Sequence, residues 1–167
     1  MRACRPLVLL VSVVLGLARA GPPGWAGVRE GVVAYRQGDF ATAVHEFLPL
    51  ATQGDREAQF YLGTMYAKGW GVPPNNEEAA RWYQRAASQG VAEAQYNLGA
   101  MYARGEGAPQ DLVQAYLWLA LAATQFPGGE SHTKAVQARD QVAAQLTPEQ
   151  LSRARALVRQ WSPQPAR

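Results

Sequence analysis

The sequence predicts an all-α protein, a right-handed solenoid of stacked helix–turn–helix units closed by C-terminal capping helices. Three observations predict it. The stretch AQFYLGTMYAKGWG, Ala58–Gly71, recurs as AQYNLGAMYARGEG, Ala94–Gly107, at an offset of 36 residues. Setting Ala58–Gly90 over Ala94–Phe126 gives identity at 15 of 33 positions, which makes the two segments copies of one unit. Each copy carries apolar residues at helical spacing on both sides of a Gly- and Pro-bearing break. A catalytic motif is rarely needed twice, whereas a unit that must stack on its own copy is.

The elements follow in chain order. Arg2 and Arg5 precede an almost uninterrupted apolar run, Leu7 to Ala18, and Ala18-Arg19-Ala20 offers small residues where a signal peptidase cuts. Residues 1–20 are therefore expected to be a signal peptide cleaved after Ala20, the run being short for a membrane span. The mature chain is expected in the periplasm or outside the cell, and not in the membrane. The full chain holds 16 Lys+Arg against 13 Asp+Glu, and the cut removes Arg2, Arg5 and Arg19 to leave 13 of each. A nucleic-acid partner, which needs a basic face to displace counterions, loses its support. Cys4, the only cysteine, leaves with the signal, so the mature chain has no disulfide, thiol nucleophile or thiolate ligand.

In the first full unit, Ala58, Leu62, Met65 and Tyr66 mark one helical face and Gly69 stops the helix. Gly71, Pro73 and Pro74 break the chain, and Asn75 opens a second helix whose stripe is Ala79, Trp82 and Ala86. The second unit repeats this with Leu98, Gly105, Gly107, Pro109, Asp111, Ala115, Trp118 and Ala122. Asp39, Asn75 and Asp111 are residues that accept from the free N–H groups of a first turn. Gly63 beside Ala79 would bring two helix backbones close together. Trp82 and Trp118 are expected in the core. Trp70, in a loop between glycines where the other copy has Glu106, is expected to contact a partner.

The segment AEAQYNLGAMYARGEGAPQDLVQAYLWLALAA, with its A-x-x-x-L-G-x-x-Y, G-x-G-x-P and A-x-x-W pattern, resembles the Sel-one-like repeat, a relative of the tetratricopeptide repeat. The resemblance covers two copies, 58–90 and 94–126. Upstream, YRQGDFATAVHEFLPLATQG resembles a plain tetratricopeptide repeat, placed at 25–54, with Gly38, Phe40, Ala43, Phe47 and Ala51 in the expected places. Downstream, 131–161 reads as two amphipathic helices, Ser131–Leu146 and Pro148–Trp161, similar to the closing helices of bacterial members, with a disordered tail at 162–167. Thr147, Pro148 and Gln150 form a capping signature for the last helix.

The resemblance implies a non-catalytic adaptor or scaffold that binds a protein or peptide. A solenoid leaves a curved groove lined by the first helix of every pair, so function lies in the side chains there. With Gly31, Gly63 and Gly99 in register, the groove positions are Val28, Val32, Tyr35 and Arg36, then Phe60, Thr64 and Lys68, then Tyr96, Ala100 and Arg104. Arg36, Lys68 and Arg104 recur at one site and are expected to grip an acidic or C-terminal carboxylate, with Tyr35, Phe60, Tyr96 and Trp70 adding contact area. Each also sits in a last turn, where a cation suits the helix dipole.

An enzyme is disfavoured. His45 and His132, the two histidines, are far apart and expected at the surface, and Glu77-Glu78 point to different sides of a helix. No metal site, cofactor loop or G-x-S-x-G occurs. Cysteine-rich exported relatives in the family bind or hydrolyse β-lactams, but this mature chain lacks their cysteines. The remaining alternative is self-association, with a second copy of the chain in the groove.

Overall fold

A computed structural model describes residues 25–165; the expected signal peptide lies outside them. The described residues form eight helices: α1 Trp25–Gln37, α2 Phe40–Thr52, α3 Arg56–Lys68, α4 Asn76–Ser88, α5 Ala92–Arg104, α6 Leu112–Gln125, α7 Gly129–Ala143 and α8 Pro148–Gln160. From α1 to α7 each helix packs on the next in sequence, and α8 folds back onto α6. Three hairpins, α1–α2, α3–α4 and α5–α6, thus stack in order and α7 and α8 close the last one. No described helix is long and apolar enough to cross a membrane.

Local chemistry sets the helix ends. Asp39, Asn75 and Asp111, 36 residues apart, each accept a backbone N–H from the turn they open, at 3.2, 3.1 and 2.9 Å. Helices α3 and α5 begin at Arg56 and Ala92, two residues ahead of the apolar pattern, because the first buried residues, Ala58 and Ala94, already lie inside the first turn. Asp55 caps α3 through the Ala58 N–H at 2.8 Å. Gly69 and Gly105 end these helices in the left-handed region, φ 70° and 69°, where an L side chain is strained. Thr147 and Gln150 form the expected reciprocal cap of α8.

The core is a row of apolar layers between hairpins. Phe47, Leu62, Met65, Leu98 and Leu119 are fully buried, each contributing about 1.5–3 kcal/mol through burial. Trp82 and Trp118 are in the core as expected, 7% and 5% exposed, and the Arg85 guanidinium lies 4.5 Å over the Trp82 ring. The close approach at the repeated glycines involves a large side chain of the second helix as well. A Cβ on Gly63 would meet the ring of Tyr83, on Gly31 it would meet Phe47, and on Gly99 it would meet Leu119 and the Ala115 carbonyl, the counterpart of Ala79. The bare glycine admits a large side chain from the second helix one turn beyond Ala79.

Glutamines fasten adjacent hairpins at one end. Gln59 Nε2 donates to the Ala51 carbonyl at 3.0 Å, and Gln89 Nε2 donates to Gln59 Oε1 at 2.8 Å. Gln95, Ala87 and Gln125 repeat both bonds one unit later, each at 3.1 Å. At the other end, Gly71 and Gly107 press against the carbonyls of Phe40 and Asn76, leaving no room for a side chain.

Within residues 162–165 the Gln164 N–H donates to the Ser88 carbonyl at 2.8 Å and Pro163 comes near Gly90. His132 is half-buried, with Nδ1 2.9 Å from the Ala123 carbonyl that the end of α6 leaves free, while His45 is exposed beside Glu46 as expected.

Candidate functional site: the inner face of the first helices

On α3, Glu57, Tyr61, Thr64 and Lys68 are spaced i, i+4, i+7, i+11, one stripe along the helix. The stripe on α5 is Glu93, Asn97, Ala100 and Arg104. The opposite face, Ala58, Leu62 and Met65, goes to the core, so these stripes are what the first helices present outward. Phe60 and Tyr96 flank the stripes and meet in a concavity of about 240 Å³ that spans α3, α5 and α7. Phe126 at the end of α6 completes its apolar floor, and Glu93, Asn97, Ser131 and Lys134 form its rim. A neighbouring hollow of about 370 Å³ continues from Phe60 past Tyr61 to Arg56, Glu57 and Glu93, with the first turns of α3 and α5 side by side.

A linked set of side chains stiffens this face. The Tyr83 hydroxyl donates to Thr64 Oγ1 at 3.1 Å, and Thr64 in turn donates to the Phe60 carbonyl. Tyr61 stacks on Phe47 with centroids 4.8 Å apart and meets Tyr35 edge-on at 5.0 Å. Burial holds the Tyr83 hydroxyl above the ordinary phenol range, against the lowering effect of its hydrogen bonds to Thr64 and Asn97.

The structure brings together Phe60 and Tyr96, with Thr64 tied in behind them. Tyr35 and Trp70 go elsewhere: Trp70 stacks on Phe40 at 4.9 Å and meets Tyr35 edge-on at 5.8 Å, an aromatic cluster joining the first hairpin to the first Gly-Pro loop. Trp70 is therefore half-buried. Arg36 and Lys68 are exposed and make no ion pair with a described residue. Arg104 is held by Glu106 at 2.7 Å, which keeps the guanidinium charged and the Glu106 carboxyl below its usual range. Tyr61, Glu57, Glu93 and Asn97 also lie on this face, although they are not among the positions expected there. The signal for them was the i, i+4, i+7, i+11 spacing ending on each repeated cation.

The family model for the Sel1 repeat matches residues 56–91 and 92–125. The chain carries two Sel1 repeats. This Sel1-repeat chain is similar to a protective antigen of uropathogenic Escherichia coli that displays an SLR fold: 31% identity, TM-score 0.75, over 84% of this chain and 30% of that one. It is also similar to a Sel1 repeat protein from Oxalobacter formigenes, at 32% identity and TM-score 0.61, over 76% of this chain and 54% of that one. It thus spans under a third of the first relative and about half of the second. No curated protein matches it. Sel1 repeats generally mediate protein–protein interaction, and the family is typically a non-catalytic scaffold. Among the described residues no group of three or more His, Cys, Asp or Glu is placed to hold a metal ion.

Proposed function

We propose that this chain is an exported, non-catalytic adaptor of the bacterial cell envelope that takes a peptide or a single helix on its inner face. The observation that carries the reading is the aromatic concavity of Phe60, Tyr96 and Phe126, which crosses three elements and is rimmed by polar groups. Such a surface suits an apolar anchor from a partner, with Arg36, Lys68 and Arg104 supplying charge for carboxylates at one edge. Export rests on the 1–20 segment, and N-terminal sequencing of the secreted chain should begin at Gly21. The binding test is a pull-down from the exported fraction with residues 21–167 beside Phe60→Asp, after matched melting curves. A protein retained by the unaltered chain alone supports the inner face, and equal retention by both moves the site off it.

A second reading, self-association, has its own observation. Val33 occupies the place of Met65 and Met101 in the repeat register, yet it is 53% exposed where they are 0% and 5%. Leu48 on the same hairpin is 42% exposed. A second copy seated there would make the sedimentation coefficient rise with concentration, and Val33→Asp would abolish the rise.

A further inference from the structure

The inner face is electrically polarised along the helices. Glu57, Glu93 and Glu130 are each the second residue of α3, α5 and α7, while Arg36, Lys68 and Arg104 stand in the last turns of α1, α3 and α5. Glu57, Glu93 and Lys68 make no ion pair with a described residue, whereas Glu130 is paired with Lys134 at 2.6 Å and Arg104 shares its charge with Glu106 at 2.7 Å. From Glu57 to Lys68 the helix rises about 16 Å, with Tyr61 and Thr64 between them on the same stripe. The Tyr61 hydroxyl is held above the ordinary phenol range, first by burial and then by Glu57, with Arg36 opposing and Glu93 adding. Both carboxylates are thus within electrostatic reach of one point on the groove floor.

Resting on the adaptor reading, we infer that the occupant of the inner face is one amphipathic helix lying antiparallel to α3 and α5. Its acidic first turn lies by Lys68 and Arg104, its basic last turn by Glu57 and Glu93, and its apolar stripe against Phe60 and Tyr96. Two facts select this occupant. The groove offers opposite charges about three helical turns apart, which a partner of single sign cannot satisfy. A helix with acids first and bases last is also the one whose own dipole is stabilised, so the same charges serve folding and docking. The parallel orientation would set acids against Glu57 and Glu93.

The probes are two synthetic amphipathic helices, stapled to hold their shape and sharing one leucine stripe. One has an acidic first turn and a basic last turn, and the other has these charges exchanged. Fluorescence anisotropy with the mature chain should show the first binding about tenfold tighter at low salt, with the preference fading as salt is added. The quadruple variant Glu57→Lys, Glu93→Lys, Lys68→Glu, Arg104→Glu should reverse the preference. Equal affinities that Phe60→Ala weakens alike would overturn the polarity and leave the groove standing. Affinities indifferent to Phe60→Ala, or no binding of either peptide, would overturn the groove as well. Displacement of both peptides by excess unlabelled chain would assign the face to a second copy and overturn the helix occupant.

Discussion

Gly63 and Tyr83 occupy the same space in turn: a Cβ on Gly63 would lie 2.7 Å from Cδ1 of the Tyr83 ring, well inside contact distance. Gly63→Ala gains about 1 kcal/mol in helix propensity but overpacks the ring at a cost of about 1–3 kcal/mol or more. A net loss of stability is expected, read as a lower melting temperature by circular dichroism. Combined with Tyr83→Ala, the Gly63→Ala change should cost less than it does alone, so the double variant should lose less than the sum of the two single losses, because the two changes share one contact. A melting temperature unchanged in the single variant would refute the account.

Gln95 is fully buried and its amide is used at both ends, towards the Ala87 carbonyl and by Gln125. Gln95→Leu keeps the volume but removes the bonds to Ala87 and Gln125, while the Ala87 carbonyl keeps the Gly90 N–H at 3.0 Å, so the loss is about 0.5–1.5 kcal/mol for each bond. Gln125→Ala, at an exposed position, should lose less than half as much. Urea unfolding of the two variants decides the matter, and equal midpoints would show that the buried amide is not the important partner.

Trp70→Ala removes a stacked contact with Phe40 and an edge contact with Tyr35, worth about 0.5–1.5 kcal/mol each beyond burial. The variant should unfold earlier in denaturant even with no partner present. If its unfolding curve overlays that of the parent chain, the side chain is reserved for contact with another molecule.

The Tyr83 hydroxyl has its folded-state pKa raised above the ordinary value of 10.0 by burial. A raised pKa means that the folded chain holds the proton more tightly than the unfolded one. Stability from this source is complete below about pH 10 and is lost as pH climbs through the folded value. Tyr35, Tyr61 and Tyr102 shift in the same direction. Tyr83→Phe should therefore make the alkaline decline in melting temperature shallower without abolishing it. An identical slope in the variant would clear Tyr83 of any part in it.

The duplicated unit made the architecture legible, since fifteen shared residues in 33 fix helix, break and helix at once. The N-caps 36 residues apart and the buried Trp82 and Trp118 followed from the same pattern. Long-range side-chain contacts were not legible. Helical spacing sets a small residue against each repeated glycine, as the Ala115 carbonyl near Gly99 bears out, but not that Tyr83 and Leu119 reach the same spaces, which depends on crossing geometry. The glycine neighbours of Trp70 say nothing of Phe40, thirty residues earlier in the chain, on which it stacks. Half of the inner face was visible in the repeated cations. The carboxylates were hidden because an acid in a first turn has an ordinary local explanation, and Tyr61 because its counterpart is Asn97. Positions that differ between copies carry no repeat signal, although a binding surface varies there.

The glutamine bonds at one end of the hairpins and the pressed glycines of the Gly-Pro loops at the other bind each hairpin to the next at two separated points. Two attachments some helix-length apart leave little freedom to pivot, so the width of the inner face is set when the chain folds. On the proposed adaptor role the groove would be preorganised, and association would need to order only the incoming molecule. Rigid ligands of the right span should then gain affinity in full from their rigidity, and flexible ones of the same composition should bind more weakly by the entropy they lose. Cutting one fastening, as Gln95→Leu does, would loosen the receptor as well as the fold, and the advantage of the rigid ligand would shrink with it.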